Sequence, residues 1–173
     1  MQTPKLINLL STFSFLFFLF LTVTSHALPE DKNKPIYLSA DSADLNQSTH
    51  QGEYIGHVDF KQGTSHITAE RAITLVDENN KLTKAVAYGN DKTRAHFSTM
   101  TDQQKPKMHA RAKIIRYYPL KHLIELEGHA QVTQGNDRFE ADIIKYDTIK
   151  QHVISNNKGT GRTLIVINSD KIK

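Results

Sequence analysis

From residue 36 onward, apolar and polar side chains alternate in short runs. Ile36, Leu38 and Ala40 alternate with Tyr37, Ser39 and Asp41. Val58 and Phe60 alternate with His57 and Asp59, and Met108, Ala110 and Ala112 with His109, Arg111 and Lys113. A period of two puts successive side chains on opposite faces, so each run predicts a half-buried strand. Further short strands are predicted around Ala43 and Leu45, Ile67 to Val76, Ala85 to Tyr88, Ala95 to Phe97 and Ile114 to Tyr118. Others follow at Leu123 to Leu126, Ala130 to Val132, Phe139 to Tyr146, His152 to Ser155 and Leu164 to Ile167. Asn46 to Thr49, Gln62 to Thr64, Asp77 to Asn80 and Asn156 to Gly159 supply turn residues between them. The polar stretch Ser98 to Lys107, with Pro106, reads as an insertion. No stretch keeps the i, i+3, i+4, i+7 spacing of an amphipathic helix, so the fold class is all-β, a meander of roughly a dozen antiparallel strands.

The pattern repeats. Gly56-His57-Val58-Asp59-Phe60-Lys61-Gln62-Gly63 has a twin in Gly128-His129-Ala130-Gln131-Val132-Thr133-Gln134-Gly135. Their offset is constant (56 to 128, 63 to 135, 69 to 141). Agreement at a fixed period marks a chain built by repetition. A smaller unit opens with an apolar residue, a spacer, Ala and usually an acid. It is placed at Leu38–Asp41, Ile67–Glu70, Met108–Arg111 and Phe139–Asp142, and a Gly follows each (56, 89, 128, then 159 or 161). Four units of roughly thirty residues are expected, each too small to bury its apolar face alone. The glycines are expected to bend the strands, folding the sheet over into a V.

The ends and the composition sharpen this. Residues 1–27 carry a basic head, an apolar run from Leu6 to Val23 and the small-x-small triplet Ser25-His26-Ala27. They predict a signal peptide cut after Ala27; the rival is an uncleaved anchor, since the run is near the lower limit of about 17 residues for a span. Residues 28–35 are charged and hold two prolines, which predicts a flexible lead-in. The β domain then runs over 36–167, with a polar tail at 168–173. Without Lys5, Lys and Arg fall from 22 to 21 against 18 acids, a net charge of +3. That is too weak to argue for nucleic acid. The absence of Cys excludes disulfides, thiolate metal sites and a lipoprotein signal.

Pro35-Ile36-x-Leu38-x-Ala40-Asp41, Gly56-His57-Val58-x-Phe60-x-Gln62-Gly63, Ala69-Glu70, Gly128-His129-Ala130-x-Val132 and Ala141-Asp142-x-Ile144-x-Tyr146 together resemble the OstA-like family. The resemblance covers roughly Lys34 to Ile167. Gly-His stands at 56 and 128 where the family usually has Gly-Asn, and a Lys- and Asn-rich tail is nearly absent. The resemblance implies an open, V-shaped β-jellyroll in the periplasm. It implies head-to-tail assembly into a bridge between inner and outer membranes, whose components carry the same fold. It also implies that lipopolysaccharide acyl chains slide along the interior.

Candidate inward-facing residues are Ile36, Leu38, Phe60, Ile67, Phe97, Tyr117, Leu126, Val132, Phe139 and Tyr146. From the residues alone they form a packed core; the resemblance makes part of the set a lipid-binding groove. Candidate assembly edges are the first strand, with Ile36 and Leu38, and the last, with Leu164, Ile165 and Val166. Neither holds a Lys or Pro that would guard an open edge. Lys105, Lys107, Arg111, Lys113, Arg116 and Lys121 cluster in sequence around Tyr117-Tyr118, and are either a solvated face or a meeting place for lipid phosphates. Nine His residues raise the question of a metal or a His/Asp-dependent envelope hydrolase. No His-Glu-x-x-His, Gly-x-Ser-x-Gly or nucleotide-binding motif accompanies them, so no metal, cofactor or catalytic residue is expected.

Overall fold

Two long strands of this chain cannot stay straight, and their bends create the architecture. The computed structural model describes residues 31–90 and 92–168; the expected signal peptide, the first three residues of the lead-in (28–30) and the tail beyond Asn168 lie outside the described residues. Among them are twelve strands: β1 Ile36–Ser39, β2 Ser42–Asn46, β3 Gln51–Gln62, β4 Ser65–Val76, β5 Leu82–Tyr88, β6 Ala95–Thr99, β7 Met108–Ala112, β8 Ile114–Tyr118, β9 Leu123–Gln134, β10 Asp137–Asp147, β11 His152–Asn156 and β12 Leu164–Val166. Short 3-10 turns form at Asp31–Asn33 and Pro119–Lys121, and no α-helix occurs among the described residues.

β3 turns at Gly56 (φ +78) and His57 (φ +46), and β9 at Gly128 (φ +81) and His129 (φ +49). Glycine meets no Cβ penalty in the left-handed region, so Gly leads each bend. Between Ile55 and Val58 three steps along β3 face two along β4, and the same bulge lies between Glu127 and Ala130 against β10. A bulge of this kind adds one unpaired residue and kinks the strand.

Each long strand therefore belongs to two layers. One layer runs β2, residues 51–55, residues 71–76, β5, β8, residues 123–127, residues 143–147 and β11. The other runs β1, residues 58–62, residues 65–69, β6, β7, residues 130–134, residues 137–141 and β12. All pairings are antiparallel. The layers meet at the bends and enclose one apolar core, in which Phe60, Phe97, Ile115, Ile124, Leu126 and Ile144 are fully buried. Ala95, Ala110, Ala112, Ala130 and Ala141 line it close to the bends and keep the layers near one another.

The repeat differs from the sequence reading in one respect. The chain divides into two halves, since β1, β2, β3 and β4 begin at 36, 42, 51 and 65 and their counterparts β7 to β10 at 108, 114, 123 and 137. The Asp41 N–H donates to the Gly56 carbonyl, and the Lys113 N–H to that of Gly128, both at 2.9 Å. The third unit thus turns at Ala112-Lys113 rather than at the expected Ala110-Arg111. The acid of the other units is a lysine there, which hid the correspondence.

Candidate lipid-binding interior and assembly edges

The register of one layer aligns a single row of apolar side chains across all eight of its strands. Leu38 faces Phe60, Phe60 faces Ile67, Ile67 faces Phe97, Phe97 faces Ala110, Ala110 faces Val132, Val132 faces Phe139 and Phe139 faces Ile165. With neighbouring strands about 4.8 Å apart, the row extends roughly 34 Å. Six of the ten residues expected inside belong to it. Tyr117 and Tyr146 face it from the opposite layer in a second row, where Ala85, Tyr117, Ile124, Tyr146 and Val153 are paired in turn. Leu126 lies two residues along from Ile124 on the same face. The middle of the interior is packed shut, whereas Leu38 and Phe139 are only partly buried and Ile36 sits at the rim.

Away from the bends the two layers are fastened by polar groups. The hydroxyl of Tyr117 is hydrogen-bonded to Ser65 of the other layer, and that of Tyr146 to Thr101; burial raises both phenol pKa values. Ser65 Oγ also donates to Asp31 Oδ2 at 2.8 Å, beside Thr64 Oγ1 at 2.7 Å, and the Thr64 N–H donates to Asp31 Oδ1 at 2.9 Å. The lead-in was expected to be flexible, but its Asp31–Asn33 turn is tied down and packs near Pro119–Lys121. The stretch expected as an insertion also crosses between layers. Lys105 Nζ donates to Gln151 Oε1 at 2.5 Å, and Gln134 Nε2 donates to Thr101 Oγ1 at 2.8 Å and to the Pro106 carbonyl at 3.0 Å. No sequence signal announced these fastenings, because isolated hydroxyls and one Asp carry no periodicity.

Both layers end on strands with one neighbour. Among the described residues β1 and β2 pair only with β3, and β11 and β12 only with β10. The first and last strands therefore lie at the two ends of one layer. Sequence reasoning missed that β2 and β11 are the edges of the second layer. The inward-pattern residues here are open to solvent: Leu45 is 66 % exposed and Ile165 53 %, against 0 % for Phe97 in the middle of the row.

The basic residues do not converge. Arg111 lies on the outer side of β7 in one layer and Arg116 on the outer side of β8 in the other, paired with Glu127 at 3.0 Å. Lys113 stands at a bend. Lys121 lies 5.6 Å from the centre of the Tyr118 ring, and Lys105 and Lys107 belong to the crossing loop. Their spacing in sequence conceals that β7 and β8 are in different layers.

The histidines also scatter. His57 faces water, and its bond to Asp41 at 2.8 Å raises its pKa. His96 and His109 lie stacked on the outer face with ring nitrogens 3.1 Å apart. Burial, then Arg111 and His109, hold His96 down to about 4; burial and Arg111 also lower His109. Among the described residues no three His, Asp or Glu form a metal-binding group.

The chain is similar to lipopolysaccharide export system proteins. It is 28 % identical over 135 residues to LptH of Pseudomonas aeruginosa, covering 78 % of this chain and 75 % of that protein. It is 26 % identical over 149 residues to LptA of Escherichia coli, covering 86 % and 79 %. A 35-residue stretch is 54 % identical to the LPS-assembly protein LptD of Histophilus somni, covering 20 % of this chain and 4 % of that protein. The crystal structure of LptH, described as the LptA-homologous periplasmic component of the lipopolysaccharide transport device of P. aeruginosa, superposes with a TM-score of 0.74. Its sequence is 26 % identical, and the match covers 81 % of this chain and 99 % of that one. The family model for the LptA/(LptD N-terminal domain) LPS transport proteins matches residues 37–152, and the chain belongs to that family.

Proposed function

We propose that this protein binds lipopolysaccharide in the periplasm and conducts it between the membranes, its acyl chains shielded by the interior face. The observation that carries this reading is the unbroken apolar row from Leu38 to Ile165, which spans one layer from edge to edge. Apolar burial is non-directional and stabilises by about 25 cal/mol per Å². A row of this kind holds a chain without fixing its position, as a sliding cargo needs. The partly buried Leu38 and Phe139 are the natural places of entry, and the Tyr117–Ser65 and Tyr146–Thr101 fastenings must part for deeper insertion. No catalytic step belongs to this role, and the force that moves the cargo is supplied by another component.

The exposed edges support head-to-tail assembly of copies, and contacts with inner- and outer-membrane components of the same fold. A contact between two unlike edges does not close on itself, so it propagates as a filament. Cleavage after Ala27 would release the chain; N-terminal sequencing that found Met1 retained would make it an anchored relative instead.

A photo-crosslinking side chain at Phe139, at Phe60 and at the outward Asp59 tests the reading in cells making lipopolysaccharide. Adducts are expected at Phe139 and Phe60. Adducts at Asp59 alone would overturn the interior route.

A further inference from the structure

We infer that copies of this chain join in the register of the chain's own internal joint. β12 of one copy lies beside β1 of the next, with Ile165 opposite Leu38, and β11 lies beside β2, with Val153 opposite Leu45. This rests on the head-to-tail reading above and specifies what that reading leaves open, namely which residues meet.

The two halves are equivalent. β7 and β8 repeat β1 and β2 at the same offset as β9 and β10 repeat β3 and β4. Finer details repeat as well. His50 and His122 both have positive φ (53° and 52°), and their carbonyls accept from the N–H groups of Val76 and Thr148. Inside the molecule the halves are joined by β5 against β8 and β6 against β7. Seen from the first half, β7 and β8 are the β1 and β2 of a second unit.

Residues of β11 and β12 stand in for those of β5 and β6. Arg71 faces Tyr88, and its counterpart Ile143 faces Asn156. Ile67 faces Phe97, and its counterpart Phe139 faces Ile165. Asn156 therefore replaces Tyr88, and Ile165 replaces Phe97. Both edge strands are displaced by the same amount (88 to 156, 97 to 165), so their relation to each other is preserved. The C-terminal edge is thus a geometric copy of the surface to which β7 and β8 already dock.

Side-chain volumes agree with this register independently. In the internal joint Phe97 faces Ala110, and Ala85 faces Tyr117, each a large residue against a small one. Carried to the open ends, these pairs become Ile165 with Leu38 of the next copy and Val153 with Leu45 of the next copy. Each large-and-small pair becomes two residues of middle size. Volume-conserving exchanges are the ones that packed interiors tolerate best. The tilted contact of Phe97 with Tyr117, with ring centroids 5.1 Å apart, becomes Ile165 against Leu45 of the next copy. On the outer face Val166 falls opposite Tyr37 of the next copy, a favourable β-branched and aromatic cross-strand pair. A slip of one residue would turn Ile165 outward, and a slip of two would set it against Ala40 or Ile36 and break the correspondence with the internal Phe97–Ala110 pair.

In this register the apolar row does not stop at Ile165 but passes directly into Leu38 and Phe60 of the next copy. The interior surface becomes continuous across the junction, with the strand spacing it has inside one molecule.

Engineered thiols test the register without background, because the chain has no Cys. One preparation carries Leu38→Cys and another Ile165→Cys. They are mixed and mildly oxidised, and disulfide-linked dimers are followed on non-reducing gels. Leu45→Cys with Val153→Cys is the second pair, at more exposed positions if Leu38→Cys disturbs folding. Leu38→Cys with Thr163→Cys or Ile167→Cys samples the two-residue slips. Directly opposed residues lie within disulfide reach, whereas diagonal neighbours about 7–8 Å apart do not. Rapid cross-linking of 38 with 165 and of 45 with 153, and slow cross-linking of the slipped pairs, is the expected result. Persistent oligomers in light scattering with faster cross-linking of a slipped pair would overturn the register and leave the head-to-tail reading intact. If the unmodified protein stays monomeric at every concentration, both fall.

Discussion

The middle of this molecule and its two ends are built from the same strands, yet only the middle is finished. Where β5 and β6 meet β8 and β7, Ala87, Phe97, Ala110 and Ile115 are fully buried. Their counterparts at the ends, on β1, β2, β11 and β12, are exposed or half-buried, although they continue the same rows. The alternation along each strand is alike in the two places. What differs is whether a second strand lies alongside. A half-repeat here carries one donor surface and one acceptor surface; covalent linkage satisfies one of each, and the other two remain open.

The largest effect expected from this contrast is on folding. Phe97→Ala in the middle of the row should destabilise the monomer by about 3–5 kcal/mol in urea unfolding, the usual range for a large buried aromatic. An equal loss from Ile165→Ala would erase the distinction between middle and end. A second effect is set by pH. The His96 pKa is held near 4 in the folded chain, while an unfolded His titrates near 6.5. The unfolded chain therefore binds the extra proton first, and stability is full above about 6.5 and is lost as pH falls towards 4. The depressed His109 acts with the same sign. Discounted for a ring that is partly open to solvent, a loss of about 1–2 kcal/mol across that window is expected, and His96→Gln should flatten it. His57 works in the opposite sense, since its raised pKa contributes below its folded value and is lost as pH rises through it. A denaturation midpoint that ignores pH between 4 and 6.5 would contradict the first assignment.

Smaller effects sharpen the comparison between the halves. Gly128→Ala places a side chain in the left-handed region and should lower stability by about 1–2 kcal/mol. Gly56→Ala should do the same or more, since its added Cβ would meet the Asp41 side chain. Unequal unfolding of the two halves by hydrogen exchange, with each variant loosening its own bend, would show that the repeats are energetically separate. The smallest effect on the monomer is expected from Ile165→Asp, within about 0.5 kcal/mol because the site is exposed. The same change should weaken head-to-tail oligomers in light scattering, and unchanged oligomers would remove Ile165 from the joint.

Much of this fold was legible in the chain. Alternation gave the strands, and Gly56 and Gly128 marked the bends, because a glycine inside a strand pattern packs no side chain and usually sits where the backbone kinks. The apolar row was visible as separate members, from Leu38 to Phe139, before their alignment was known. Register is a property of pairing, so the alignment itself needed the structure. The layers were the harder part. Arg111 and Arg116 are five positions apart on successive short strands, and nothing local says that the turn at Lys113 sends them to opposite sides. The fastenings at Asp31, Ser65 and Thr101 were not legible, because each depends on hydroxyls from distant strands that meet only after the sheet has folded over.

If the ends are unfinished copies of the middle, amide hydrogen exchange measured across protein concentration will show it most directly. β1, β2, β11 and β12 should gain protection as concentration rises, while β5 to β8 are protected throughout. Protection of the four edge strands that does not change with concentration, or a gain confined to another surface, would contradict it.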